Sequence, residues 1–282
     1  MQCTINFTKL EGCGNHFILF DCISNPNIID LLAPNIIVQL CKPNFGIGAD
    51  GIIFLTEPKS TLSYANAQFE MIIYNADGSL AQMCGNGLRC MARYLQDHYN
   101  LFAKKPNVHI LTGAGLLQVT LHQNQTTDHR SDLSQLIGVK MAWPTTQEWV
   151  RHKERNFEIL NLGNPHYVTY ETTDYQLREQ RSRDWIDLID GGLNLSFAQQ
   201  ISPSVIELHV HERGCGWTLA CGTGATATVF AGYQQQRFNL GQSVEVRLPG
   251  GQVTIEIKED TLWMWGPANK VFSGQVSLPL KS

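Results

Sequence analysis

The sequence predicts an α/β (α+β) fold built from a duplicated half as two pseudo-symmetric domains. Three observations carry that prediction. A cysteine followed by Gly-x-Gly opens a helix-forming run twice, at Cys84-Gly85-Asn86-Gly87 and at Cys221-Gly222-Thr223-Gly224. A strand, a glycine turn and a second strand follow each time, at residues 108–121 and 244–257. The two cysteines stand 137 positions apart and the two hairpins 136. Two echoes at nearly one spacing argue for an internal repeat more strongly than either alone. The predicted domains are residues 1–122 with a returning tail at 267–282, carrying the Cys84 motif, and residues 123–266, carrying the Cys221 motif.

Taken in order, residues 3–9 and 17–23 read as strands flanking Glu11-Gly12-Cys13-Gly14-Asn15-His16. Residues 28–41 read as one short amphipathic helix ending near Pro43. Gly46-Ile47-Gly48-Ala49-Asp50-Gly51 fits a dinucleotide fingerprint letter for letter, but Ile52–Leu55 after it reads as a strand rather than a helix. Turn chemistry is the better account of those glycines. A strand at 68–74 leads into the first cysteine motif, a helix spans 87–98, and the polar run 122–135 reads as a linker. In the second half, strands are expected at 139–143, 157–162, 167–170 and 205–210, and a helix at 174–189. The glycine turn at Gly191-Gly192 leads into a strand. The last strand pair is split by Gly266-Pro267.

Composition narrows the function. Apolar residues make up 43% and charged residues 16% of the 282, enough for a real core and against disorder. A net charge of −4 without a basic cluster argues against nucleic acid or an anionic membrane as partner. The first residues are no signal peptide, and no apolar run approaches spanning length, so the expected location is cytoplasmic. Eight cysteines without a Cys-x-x-Cys make structural zinc a poor reading, and size and context argue against a disulfide framework. Cys3, Cys22, Cys41, Cys90 and Cys215 read as small buried hydrophobes.

The two cysteine motifs hold the chemistry. Glycines let backbone N–H groups approach a ligand, and a helix start adds partial positive charge. A cysteine placed there is expected to ionise more readily than usual. If the halves face each other, a thiolate and a thiol on opposite faces of one carbon form an acid–base pair that inverts a stereocentre. The helix starts would then hold a substrate carboxylate. No metal quartet and no cofactor motif is present, and a cofactor-free epimerase needs such a pair. Other readings stay open. A single nucleophilic cysteine with His166 as its base would make a hydrolase or transferase. A dithiol pair could be a redox switch. The same glycine loops could serve a carboxylate- or phosphate-binding module.

Asn75-Ala-Asp-Gly-Ser…Met-Cys-Gly-Asn-Gly-Leu-Arg-Cys90 and Glu212-Arg-Gly-Cys-Gly…Thr-Leu-Ala-Cys-Gly-Thr-Gly-Ala225 resemble the two signature motifs of the diaminopimelate epimerases. The resemblance runs the length of the chain through Gly14-Asn15, Gly46–Asp50, Gly163–His166, Asn194–Phe197, Leu248–Gly251 and Trp265–Ala268. It implies interconversion of LL- and meso-diaminopimelate, on the route to lysine and peptidoglycan. It implies two domains, each a curled sheet around a central helix, with the site between them. Cys84 and Cys221 match the catalytic cysteines; His166 and Glu212 match the groups that assist proton transfer. The main-chain N–H groups of Gly85, Asn86, Gly222 and Thr223 would hold the reacting carboxylate. Asn15, Asn75, Asn164, Asn194, Glu212 and Arg213 match positions that read the rest of the substrate, with Arg213 suited to the distal carboxylate. The implied partner is a small molecule, diaminopimelate, with no metal and no cofactor; a homodimer is left open.

Asn75 and Asn164 also sit beside turn residues, His166 has a purely structural reading, and Arg213 one as a surface charge. Three departures stand out. Gly51 occupies a position where some members place a substrate-contacting glutamine. His16 stands where Asp is common, and Trp217 replaces a frequent Glu, where its bulk would border the site. Proline racemases and PhzF-like isomerases share the implied architecture. The second cysteine sets this chain apart from most PhzF-like proteins. Arg213 argues against proline, which has no distal carboxylate.

Overall fold

The computed structural model describes residues 2–58, 64–103, 106–121, 136–171 and 174–279. The expected linker at 122–135, and with it the expected domain border, lies outside them. The chain divides into two compact units, Met1–Val139 with Pro267–Ser282, and Lys140–Gly266.

The first unit opens with β1 (Gln2–Gly12) and β2 (Asn15–Asp21), an antiparallel pair turned at Cys13 and Gly14, both at positive φ. Helices α1 (Ile28–Leu31) and α2 (Pro34–Cys41) follow. The single helix expected over 28–41 is therefore two, and Pro34 is the reason. The residue before a proline is pushed out of the helical region, and Ala33 sits at φ −65, ψ 156 as the N-cap of α2. The glycines of the fingerprint-like run turn the end of α2 into β3 (Gly51–Thr56), as Gly46, Ile47 and Gly48 send their N–H groups back to Lys42 and Leu40. A Cβ on Gly46 would strike the Gln39 and Leu40 carbonyls, and Gly48 has a φ of +76.

β3 lies parallel to β2 and antiparallel to β4 (Phe69–Asn75), which pairs with the two-residue β5 (Leu80–Ala81). Helix α3 (Gly85–Tyr99) then crosses over to β6 (Asn107–Thr112), parallel to β4. A hairpin to β7 (Gly115–Leu121) and an antiparallel β8 (Ile137–Met141) complete the run. Parallel neighbours need a long crossover, and the helices occupy those crossovers. α3 touches β1, β2, β3, β4 and β7, so the sheet curls around it, and its residues 85–92 are all buried.

The second unit repeats this order. β9 (Thr145–His152) and β10 (Arg155–Asn161) form a hairpin, and β10 pairs antiparallel with β11 (Pro165–Thr169). After α4 (Tyr175–Trp185), β12 (Asn194–Ser202) runs parallel to β11 and antiparallel to β13 (Val205–Glu212). A three-residue β14 (Gly216–Thr218) precedes α5 (Gly222–Gln234), which crosses over to β15 (Ser243–Leu248), parallel to β13. Hairpin partner β16 (Gly251–Ile257) and β17 (Leu262–Gly266) follow. α5 touches β11, β12, β16 and β17.

β18 (Asn269–Pro279) pairs along the whole of β1, from Gln2 opposite Pro279 to Glu11 opposite Asn269. The repeat accounts for this. β9, the last strand of the first repeat, pairs with the first strand of the second, β10, and β18, the last strand of the second, pairs with the first strand of the first.

Three short or exposed strands were not legible. β9 is exposed on most positions, so no apolar alternation marks it, and β5 and β14 are too short for a period. The aromatic core of the second unit gathers Phe157, Trp185 and Phe197, with Tyr167 and Trp217 against it. Among the described residues no helix is long and apolar enough to cross a membrane.

Gly232 sits on the buried flank of α5, where an added Cβ would run into the Phe238 ring and the Tyr170 hydroxyl, which donates to the Thr228 carbonyl at 2.8 Å. Gly232→Ala is therefore expected to destabilise the fold by about 1–3 kcal/mol despite alanine's better helix propensity. Thermal unfolding checks this; an unchanged or raised midpoint contradicts the packing.

Candidate active site

In the first unit, Cys84 is the N-cap of α3. Its backbone is extended (φ −143, ψ 116), and its Sγ accepts the Gly87 N–H at 3.4 Å. The sulfur thus does what a serine or aspartate oxygen does at an ordinary helix start. First-turn N–H groups such as those of Gly85 and Asn86 have no acceptor within the helix and carry its positive end. Gly87 must be small: a Cβ there would come 3.1 Å from Ile73 Cδ1.

The Cys84 sulfur also lies 3.8 Å from Asn15 Oδ1, toward which it donates. The same oxygen accepts the Asn86 side-chain amide at 3.1 Å. Asn15 in turn donates Nδ2 to Asp50 Oδ2 at 2.7 Å, and Asn86 Oδ1 accepts from Arg89 Nη2 at 3.0 Å. Arg89 is fully buried and also donates to the Pro267 carbonyl at 3.2 Å. Asn75 is exposed and its amide donates to Ser79 Oγ at 3.0 Å, within the turn that its main chain closes with Ser79.

In the second unit, Cys221 repeats the cap on α5 (φ −129, ψ 109), accepting the Gly224 N–H at 3.4 Å. A Cβ on Gly224 would come 3.1 Å from Val210 Cγ2. The Thr223 hydroxyl lies 3.5 Å from the sulfur. That hydroxyl also meets His166 Nε2 at 3.0 Å and Asn164 Nδ2 at 3.4 Å, while Asn164 Oδ1 meets His166 Nε2 at 3.0 Å. His166 therefore reaches the thiol through Thr223. Glu212 stands at the end of β13, its carboxylate against the Cys221 thiol and accepting from Thr218 Oγ1 at 2.7 Å. Asn194 uses both ends of its amide, donating to the Pro165 carbonyl at 3.1 Å and accepting the Arg213 N–H at 3.0 Å. Arg213 is exposed, and its Nη1 donates to the Gly191 carbonyl at 3.1 Å, with Gly192 O at 3.4 Å.

The sheet registers make these residues equivalent pairs. Phe17 lies beside Gly51 and Gly51 opposite Asn75, whereas His166 lies beside Asn194, with Leu195 opposite His211. Asn15 thus corresponds to Asn164, Gly51 to Asn194, Asn75 to Glu212 and Asn86 to Thr223. The equivalent contacts, Asn15 to Asn86 and Asn164 to Thr223, are both present. At Gly51 a Cβ would strike the Tyr74 carbonyl, so this half has no counterpart of the Asn194 side chain.

One electrostatic result differs from expectation. The helix start was expected to lower the Cys221 pKa. Burial pushes the thiol well above its ordinary value instead, and Glu212 adds to the rise; the Thr223 and Gly224 contacts oppose it without prevailing. His166 is fully buried, and that burial pushes its pKa down to about 3, so at neutral pH it is a neutral imidazole.

A further expectation is corrected: Cys215 is exposed rather than a buried hydrophobe. Trp217 packs edge-on to His211 and against Phe197 in the aromatic core, and its indole N–H donates to Glu179. Sequence reasoning passed over Asp50, Arg89 and Thr218. Arg89 stands three residues after Asn86, on the same helical face, and that spacing was the available signal. Among the described residues no group of three or more His, Cys, Asp or Glu is placed to hold a metal ion.

The geometry can be set beside known proteins. The family model described as diaminopimelate epimerase matches residues 7–135 and 160–271. A diaminopimelate epimerase of Carboxydothermus hydrogenoformans is 34% identical, over 97% of this chain and 100% of its own length. One from Trichodesmium erythraeum is 36% identical, again over 97% and 100%. Among solved structures, a hydroxyproline epimerase from Agrobacterium vitis superimposes with a TM-score of 0.70 at 13% identity, covering 98% of this chain and 93% of its own. A PhzF-family protein from Enterococcus faecalis gives 0.66 at 12%, covering 97% and 99%. At such identities these two speak for the fold alone, while the family model and the closer relatives speak for descent: the chain belongs to the diaminopimelate epimerase family.

Proposed function

We propose that this chain interconverts LL- and meso-2,6-diaminopimelate by cofactor-independent, two-base proton transfer at the α-carbon, with Cys84 and Cys221 as the two bases. The observation that carries the reading is the repeated helix cap. Each half places a sulfur on the third N–H of a helix start at the same 3.4 Å. A sulfur and a first turn of N–H donors are the two things that deprotonation beside a carboxylate requires.

In the step, one thiolate takes the α-proton: the C–H bond breaks, an S–H bond forms, and the electron pair spreads into the carboxylate. The main-chain N–H groups of Gly85, Asn86, Gly222 and Thr223 would receive that charge. The opposite thiol then gives its proton to the other face of the carbon and becomes the thiolate. Burial and Glu212 hold Cys221 as the thiol of the starting pair, and in this reading Cys84 is the base that takes the first proton. A raised pKa also makes Cys221 the stronger base in the return direction. A substrate ammonium placed against Glu212 would offset the carboxylate's field and ease Cys221 toward ionisation. His166, neutral, is a positioning residue: it holds Thr223 and Asn164 rather than carrying a proton.

Arg213 reads the distal carboxylate in this account. The Gly191 and Gly192 carbonyls fix Nη1, so that Nη2 and Nε can face a carboxylate two-pronged. Asn15, Asn75, Asn164, Asn194 and Glu212 orient the ammonium groups.

The direct test is substitution of each sulfur. Cys84→Ala and Cys221→Ala are each expected to lower turnover of LL-diaminopimelate by about a thousandfold or more, since loss of either proton carrier stops inversion. Cys90→Ala and Cys215→Ala keep most activity. Normal turnover by Cys221→Ala would remove it as the second base. For the distal end, Arg213→Met is expected to lower kcat/KM on diaminopimelate by at least about tenfold with little change in thermal stability. L-lysine, lacking the second carboxylate, is turned over poorly by both proteins. Equal kinetics before and after the substitution would leave the distal carboxylate to another group.

A further inference from the structure

Four side chains of the first unit form one directed chain of hydrogen bonds. It runs from the Asp50 carboxylate to Asn15 Nδ2 at 2.7 Å, from Asn15 Oδ1 to Asn86 Nδ2 at 3.1 Å, and from Asn86 Oδ1 to Arg89 Nη2 at 3.0 Å. A carboxylate at one end can only accept and a guanidinium at the other can only donate. Neither carboxamide can turn over without setting donor against donor or acceptor against acceptor. Both ends are anchored. Asp50 Oδ2 also accepts the His16 N–H at 2.9 Å, and the Asp50 N–H donates back to the His16 carbonyl at 2.9 Å. Arg89, on α3, is fully buried and donates to the Pro267 carbonyl. Bonds aligned in this sense polarise one another.

The consequence falls on the sulfur. Asn15 Oδ1, 3.8 Å from Cys84 Sγ, can only be an oxygen there. We propose that Asp50 and Arg89 are positioning residues that hold the Asn15 carbonyl on the Cys84 sulfur, so that the proton arriving on that sulfur meets an acceptor. The Gly87 N–H favours the sulfur as thiolate and the Asn15 oxygen favours it as thiol, and the balance makes Cys84 a more effective base toward a reluctant C–H acid. Neither residue touches the substrate in this role. The inference rests on the two-sulfur reading above for its kinetic consequence, though not for its chemical one.

Asp50 is the residue to change, because its side chain is 48% exposed and its loss leaves the core intact, whereas Arg89 is fully buried. Among the described residues, the titratable and charged groups around the chain include His16 on β2, Glu11 on β1, Cys13 at the β1–β2 turn, Cys41 on α2, Asp50 itself, Cys84, and Arg89 and Cys90 on α3. Alkylation of Cys84 by iodoacetamide without substrate is followed across pH by peptide mass, for the unsubstituted chain, Asp50→Ala and Asp50→Asn. Near-UV circular dichroism confirms the native fold of each. Asp50→Ala removes the acceptor that holds Asn15 Nδ2, so the Asn15 oxygen is no longer pinned on the sulfur, the thiolate is spared that repulsion, and the alkylation midpoint is expected to fall by about half to one pH unit. Asp50→Asn keeps an oxygen that can accept from Asn15 and His16, and its midpoint is expected to stay near that of the unsubstituted chain. In turnover, kcat of Asp50→Ala falls by about tenfold with a smaller change in KM, since of the proposed substrate contacts only that of Asn15 is disturbed. An unmoved midpoint in folded Asp50→Ala overturns the proposal, as does an Asp50→Asn that behaves like Asp50→Ala. If the unsubstituted chain does not epimerise diaminopimelate, the proposed activity fails while the alkylation result still decides the role of Asp50.

Discussion

A helix that begins in a protein interior supplies no acceptors for its own first N–H groups, and here a cysteine sulfur accepts the third of them in both halves. The rest of the local structure follows from that constraint. For the sulfur to reach the third N–H, the chain enters extended at Cys84 and Cys221 and turns at once into α3 and α5. The third helical residue then lies directly on the sheet, where a Cβ would come within 3.1 Å of Ile73 in one half and Val210 in the other, a tight contact at Gly87 and Gly224. Ile73 and Val210 are themselves 137 positions apart, like the cysteines. The duplicated unit is thus a packing solution, strand against glycine against sulfur, kept intact in both copies.

Within that shared frame the two sulfurs sit in different electrostatic surroundings. Cys221 is 4% exposed, with a carboxylate against it, and is held as the thiol. Cys84 is less buried and faces a carboxamide whose orientation is set by a charge at either end. The equivalent positions carry Glu212 in one half and Asn75 in the other, and a histidine supports Thr223 only in the second. Environments that push paired groups apart in acidity are how one scaffold supplies both an acid and a base at one pH.

Much of this was legible in the sequence. The glycine–cysteine motifs and the spacing between them showed the repeat, because a helix start with a close backbone approach leaves glycine at fixed positions. The parallel-strand crossovers were visible as helical runs between apolar strands. Four things were not. Pro34 was present in the run 28–41, but a periodic apolar pattern concealed that it starts a second helix. β9 has no buried face to betray it. The rise in the Cys221 pKa was hidden because a motif shows the helix start and not the depth at which it lies; burial outweighs the partial charge of the helix. Asp50 and Arg89 act on Asn15 and Asn86 from outside the motifs' obvious chemistry; the spacing of Arg89 from Asn86 hinted at one link, and the three-dimensional order of donors and acceptors brings out the whole chain.

The central claim is that two sulfurs exchange the α-proton of diaminopimelate with different faces of one carbon. Incubation of the protein with LL-diaminopimelate in deuterium oxide, followed by mass and chiral analysis, tests it most directly. A returned proton drawn from a solvent-exchanged thiol predicts that meso-diaminopimelate appears with one deuterium at the inverted α-carbon, before deuterium accumulates in the LL isomer. Formation of the meso isomer without deuterium, or no exchange and no meso isomer at all, would contradict it.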